Sequence, residues 1–133
     1  MSCDLSLICH LKRYRPVAVL MLLSMLAAAP AGVAVTPHIL KGYASYYSPR
    51  FHGRCCTASG EPVNVYAMTA AHRTLPLGSV VRVTHLKNHR SVVVRINDRG
   101  PYGGGRVIDL SLTAFKVLSS TDKGMIRVQL QVL

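Results

Sequence analysis

Five carboxylates and six histidines are all that this 133-residue chain offers for acid–base chemistry. Asp4 precedes an apolar run, which leaves Glu61, Asp98, Asp109 and Asp122 in the body of the chain. Asp98 ends the alternating run Val92–Asn97 and opens Arg99-Gly100-Pro101. A side chain at the point where a rigid strand hands over to a loop is well placed for catalysis. An Asx turn or an arginine partner would account for Asp98 as well. Asp109 follows Val107-Ile108 and precedes Leu110-Ser111, so it is expected to be partly buried. A helix-capping role, or pairing with Arg99 or Arg106, explains it as readily as catalysis does. Asp122 lies in Asp-Lys-Gly, where turn geometry alone suffices. Among the histidines, His72 in Thr69-Ala70-Ala71-His72 and His52 in Phe51-His52-Gly53 are the candidates, each with a structural reading beside the catalytic one. His85 and His89 flank Lys87-Asn88 and read as solvated.

Other chemistries find little support. There is no His-x-x-x-His or Cys-x-x-Cys pattern, so no metal or other cofactor is expected. No Gly-x-Ser-x-Gly elbow marks a serine hydrolase. Gly103-Gly104-Gly105 lacks the Gly-Lys-Ser/Thr ending of a phosphate loop. The adjacent pair Cys55-Cys56 can close a vicinal disulfide, bridge to another chain or stay reduced.

The elements that must carry these side chains are short and mostly extended. Gly42–Tyr47, Ser79–Leu86, Val92–Asn97, Arg106–Asp109 and Met125–Val132 read as strands. Asn64–Met68 reads as one helical turn, and Thr69–His72 as short and extended or irregular. Ser111 is a helix cap for an inner face of Leu112, Phe115 and Leu118. Five or six short strands with one or two short helices leave exposed edges unless the sheet closes, so a small barrel is the natural solution.

The N-terminus reads differently. Lys12, Arg13 and Arg15 precede the uncharged run Val17–Ala29, and Ala31, Gly32 and Ala34 follow. A basic flank, a short apolar stretch and small residues describe a secretory signal peptide over 1–34, with cleavage near Ala31 or Ala34. The run of 13 residues is short of the roughly 20 that a membrane-spanning helix needs, so no stable span is expected after cleavage. No cysteine follows the run closely enough for N-terminal lipidation. Residues 35–41 read as a linker and 42–133 as the folded domain. Past residue 34 the chain holds 13 Lys and Arg against four carboxylates, a net charge of +9. Such a surface favours polyanions. For an exported protein, periplasmic or secreted, the cell wall is the expected partner and nucleic acid is not.

Several segments in order resemble the RlpA-like (rare lipoprotein A) double-psi β-barrel family. They are Gly42–Tyr47, Phe51–Arg54, Thr57–Glu61, Met68–Gly78, Val81–Thr84, Val92–Pro101 and Arg106–Ser111. The resemblance implies a mainly β, six-stranded double-psi barrel with one or two short helices, preceded by a signal peptide. It implies an endolytic peptidoglycan lytic transglycosylase, which cleaves MurNAc–GlcNAc bonds and leaves 1,6-anhydro-MurNAc. By the same resemblance, Asp98 and His72 match positions regarded as active-site residues. In related barrels a key aspartate before Leu-Ser corresponds more naturally to Asp109. Arg99, Tyr46, Tyr47, Tyr102 and Glu61 are the expected substrate-binding residues, with barrel packing or loop closure as the other reading of the tyrosines. A monomer is expected, acting on peptidoglycan glycan strands. Many relatives carry a lipidation cysteine and a C-terminal glycan-binding domain, and neither is expected here. A non-catalytic, expansin-like wall-binding module and a barwin-like effector or inhibitor are the competing readings, since a binding groove needs the same barrel.

Overall fold

The computed structural model describes residues 38–133. The expected signal peptide lies outside the described residues, as do residues 35–37 of the expected linker. Six strands close into a barrel: β1 (Ile39–Tyr46), β2 (Thr69–His72), β3 (Val80–His85), β4 (Ser91–Asp98), β5 (Arg106–Leu110) and β6 (Ile126–Val132). Their order around the barrel is β1-β5-β2-β4-β3-β6. The pairs β1·β5 and β2·β4 are parallel, and the other four are antiparallel. Closure leaves no edge strand, which removes the hazard of an unpaired edge.

Alternating sequence builds the barrel's inside. Val81 and Val83 on β3, Val92, Val94 and Ile96 on β4, and Val128 and Leu130 on β6 all point into one apolar cluster. That alternation of buried and exposed residues is the two-residue period of a half-buried strand. The helix α1 (Leu112–Leu118) adds Ala114, Phe115 and Leu118 to the same core. Its N-terminus is set as the sequence predicts: the Ser111 side chain accepts a hydrogen bond from the Ala114 amide. Its last carbonyl, that of Leu118, accepts from Asn88 Nδ2 at 2.9 Å.

Some boundaries differ from the sequence reading. β1 starts at Ile39, inside the segment read as a linker, because Ile39–Gly42 pair with Val128–Gln131 of β6. Asn64–Met68 is not a helical turn. Asn64 Oδ1 accepts from the Tyr66 amide at 3.0 Å, an Asx arrangement that competes with helix. Thr69–His72 is a full barrel strand despite its four-residue length. His85 is buried, at 8% exposure, because it continues the inward alternation of Val81 and Val83. Gly42 is required where β1 crosses β5, since a Cβ there would collide with Val107 Cγ1.

Candidate functional site

Two irregularities in the parallel pairs decide which side chains reach the outer surface. Along β2·β4, Ala70 pairs with Ile96 but Ala71 pairs with Asp98, so Asn97 is an extra residue on β4. Strict alternation from Val92, Val94 and Ile96 would have turned Asp98 toward the core. The bulge re-aims it outward, a common role for bulges beside functional sites. On the other side of Ala71 lies Asp109 of β5, and Asp109 pairs in turn with Ser45 of β1. One row thus crosses four strands: Asp98, Ala71, Asp109, Ser45. Residues in register share a face, and with strands about 4.8 Å apart the two aspartates stand roughly 10 Å from each other along the backbone.

The two carboxyl groups differ in their partners. Asp98 accepts only from groups without charge. Its Oδ1 takes the amides of Ala58 at 2.9 Å and Arg99 at 2.8 Å, and its Oδ2 takes the Tyr47 hydroxyl at 2.7 Å. Asp109 is held by a cation: Arg106 Nη1 reaches its two oxygens at 3.1 and 3.2 Å, and Ser45 Oγ donates to Oδ1. The Asp109 side chain is 18% exposed. Tyr47 lies within the field of both aspartates. Burial first, then the hydrogen bond to Asp98 and the charges of Asp98 and Asp109, push its phenol well above its ordinary range. It is therefore a neutral donor at any working pH.

The remaining candidates divide. Glu61 receives both terminal nitrogens of Arg95 at 2.9 Å and Asn97 Nδ2 at 3.3 Å. The Arg95 hydrogen bonds, with help from Asn97, hold the Glu61 carboxyl down at about 2, and the pairing pushes Arg95 up. Together with His52, Asn64 and Thr69, these three side chains line a cavity of about 540 Å³, which Asn97 joins to the end of β4. Tyr102 stands 80% exposed on the loop after Asp98. Tyr46 does not reach this face: its ring packs on Phe115 at 4.7 Å between centroids, and its hydroxyl donates to the Thr121 carbonyl. Arg99 does not meet the Asp98 carboxyl with its guanidinium, which donates instead to the carbonyls of His72 and Leu75 at 3.2 and 2.8 Å.

His72 is one residue past Ala71 on β2, so its ring points to the opposite side from the aspartate row. It lines a cavity of about 190 Å³ with Leu40, Leu75, Leu130 and Val132. Its Nδ1 accepts the amides of Thr74 at 3.2 Å and Leu75 at 3.1 Å. Burial, then the positive charges of Arg73 and Arg99, lower its pKa, and an Nδ1 that accepts two amides leaves the ring proton on Nε2. His72 thus braces the turn whose carbonyls hold Arg99. Ser45, Arg95, Asn97 and the Ala58 amide are parts of the site that sequence reasoning did not single out. Each lies in or beside a segment quoted above, yet nothing in the residue types marks a bulge or the partner of a carboxylate. Cys55 and Cys56 form a vicinal disulfide in the exposed loop before Ala58. Among the described residues, no cluster of three or more His, Cys, Asp or Glu is arranged to hold a metal ion. Among them, too, no helix is long and apolar enough to cross a membrane.

Residues 39–130 match the family described as lytic transglycolase. The chain belongs to that family. Curated relatives include the probable endolytic peptidoglycan transglycosylase RlpA of Synechocystis sp., 54% identical over 100 residues, covering 75% of this chain and 31% of that protein. RlpA of Pseudomonas aeruginosa is 54% identical over 90 residues, covering 68% and 26%. The probable RlpA of Treponema pallidum is 50% identical over 113 residues, covering 85% and 34%. The chain therefore spans about a quarter to a third of the length of these relatives. Among solved structures, the lytic transglycolase barrel resembles a Streptomyces papain inhibitor, with a TM-score of 0.57 and 24% identity over 72% of this chain and 94% of that one. It also resembles a Clavibacter michiganensis expansin, with a TM-score of 0.57 and 23% identity over 72% and 50%. At that identity these neighbours speak to the double-psi fold alone.

Proposed function

We propose that this barrel is an exported, endolytic peptidoglycan lytic transglycosylase, periplasmic or secreted, with Asp98 as its acid and base. The observation that carries the reading is the setting of Asp98: a bulge turns it onto the outer face, next in sequence to Asn97, which lines an open cavity, and only uncharged donors touch it. Asp109, tied to Arg106, is better suited to hold the sheet and the field around the site than to exchange protons.

The chemistry needs one carboxyl group. Oδ1 of Asp98 has both lone-pair directions occupied by amides, whereas Oδ2 has one neighbour, so Oδ2 carries the transferred proton. Asp98 gives that proton to the glycosidic oxygen as the C1–O bond of the MurNAc residue breaks. The 6-hydroxyl of the same sugar attacks C1, forms the 1,6-anhydro ring and returns its proton to Oδ2. No water is consumed, so the second carboxylate of an ordinary glycosidase is dispensable. Tyr47 orients the carboxyl group throughout. Glu61, Arg95 and Asn97 offer fixed donors and acceptors to the neighbouring sugar, and Tyr102 offers a ring for stacking. His72, Arg99 and Tyr46 support the site from behind rather than touching substrate.

The test is incubation of the protein with purified peptidoglycan and mass analysis of the soluble products. The wild type is expected to release anhydro-muropeptides, and Asp98→Asn is expected to release none while keeping its circular dichroism spectrum. Full activity in Asp98→Asn would move the acid to Asp109. Wall binding without any product from the wild type would leave a non-catalytic, expansin-like module.

A further inference from the structure

Another cavity, of about 310 Å³, lies at a different part of the barrel, its lining including Tyr43 of β1, His85 of β3, Lys87 beyond it, Lys123 in the turn Thr121–Lys123, Met125 just before β6 and Arg127 within it. Three of these six side chains are cations, and no carboxylate lines the cavity. The nearest acid in sequence, Asp122, accepts a hydrogen bond from Ser120 Oγ at 2.7 Å. Among the described residues, the two salt bridges are Glu61–Arg95 and Asp109–Arg106, so Lys87, Lys123 and Arg127 have none. Three solvated cations from separate segments converge with no counter-charge, which raises the local affinity for an anion.

The apolar part of the lining narrows the ligand. His85 is 8% exposed and its Nδ1 is buried, so that nitrogen does not meet a ligand and the polar recognition falls to Lys87, Lys123 and Arg127. Tyr43 and Met125 are 42% and 51% exposed, large apolar surfaces left open in the same cavity wall. An aromatic ring beside cations suits a sugar ring that carries an oxyanion: the ring face stacks on the tyrosine while its charged group meets lysine and arginine. We propose that this cavity binds an anionic saccharide, a sugar bearing a phosphate or a carboxylate. The site shares no residue with the cavity of Glu61, Arg95 and Asn97 and stands whether or not Asp98 performs catalysis.

The experiment is titration of the isotope-labelled chain, followed by amide NMR shifts, with glucose 6-phosphate, glucuronate, glucose and inorganic phosphate. The expected result is saturable shifts for both charged sugars at Tyr43, His85, Met125 and Arg127, and none for neutral glucose. Adding salt is expected to weaken both. Lys123→Ala/Arg127→Ala changes only exposed side chains and is expected to weaken glucose 6-phosphate binding by about tenfold or more. A response to only one of the two charged sugars would identify the oxyanion and support the site. Inorganic phosphate binding as tightly as glucose 6-phosphate would overturn the saccharide, leaving an anion site only. Neutral glucose binding equally well would overturn the role of charge. Shifts elsewhere, no saturation, or unchanged affinity in the double variant would overturn the site itself.

Discussion

Asp98 and Tyr47 form the contact on which the proposed chemistry turns, and the tyrosine contributes a hydroxyl rather than a charge. In Tyr47→Phe the ring still packs on Phe51, whose centroid is 6.4 Å away, but Oδ2 of Asp98 loses its donor. The expected outcome is a fall in anhydro-muropeptide release of roughly 10–100-fold, the scale of one preorganised donor, with thermal stability lowered by about 1 kcal/mol. Steady-state rates and a melting curve of the variant check both. Glu61 behaves differently because its pairing with Arg95 depresses its pKa from 4.5 to about 2. A carboxyl group depressed in the folded state stabilises the fold above its unfolded pKa, and that contribution fades as pH falls toward the folded value. Glu61→Gln should therefore lower the urea midpoint relative to wild type at pH 6, and the gap should close as pH approaches 2. The pair is nearly half exposed, so the effect is modest. A gap that stays constant across that range would rule out the ion pair as its cause.

At the scale of elements, the two parallel crossings carry the design. Each has a one-residue shift in register, between Ala70 and Ala71 on β2 and between Tyr43 and Ala44 on β1. The first turns Asp98 outward. The second sits beside Gly42, where β1 and β5 approach too closely for a side chain. Gly42→Ala is expected to destabilise the barrel by about 1–3 kcal/mol through overpacking against Val107. Val107→Ala in the same chain should recover part of that loss, because the colliding atoms are Val107's own methyl groups. Denaturant unfolding of the two single variants and the double variant measures the coupling. A fully additive cycle would mean that the strain arises somewhere else.

The described residues form a small closed barrel whose apolar centre is almost entirely aliphatic, with Phe115 the large aromatic among its fully buried side chains. Its surface is strongly basic, with a net charge of +9 past residue 34. Only two salt bridges absorb any of that charge among the described residues. Attachment to isolated anionic wall material is therefore expected to weaken steadily with salt, as the screening length falls from about 10 Å at 0.1 M to about 3 Å at 1 M. A pull-down on sacculi across that salt range reads the effect directly. Retention that ignores salt would assign wall binding to the uncharged contacts of the groove instead.

Much of the barrel was legible in one dimension. Five strands and the Ser111-capped helix follow from period-two alternation, turn residues and a capping side chain, because these are local properties of consecutive residues. Six strands closing into a double-psi barrel followed from family resemblance. His72 illustrates the limit: the resemblance matches it, with Asp98, to an active-site position, whereas its orientation is set by strand alternation, which turns its ring away from the aspartate row while its backbone carbonyl accepts from the Arg99 guanidinium. Tyr46 and Tyr47 are adjacent and chemically identical, yet one packs on Phe115 and the other holds Asp98. His85, read as solvated from its hairpin, is buried by the inward phase of β3. By itself the sequence determined five of the six strands, how basic the chain is and which few carboxylates exist. Only the tertiary structure decided that Asp98 and Asp109 share a face and that, of these two, Asp109 alone pairs with a cation. Register, bulges and partners drawn from distant strands set those facts, and none of them is encoded in the spacing of neighbouring residues.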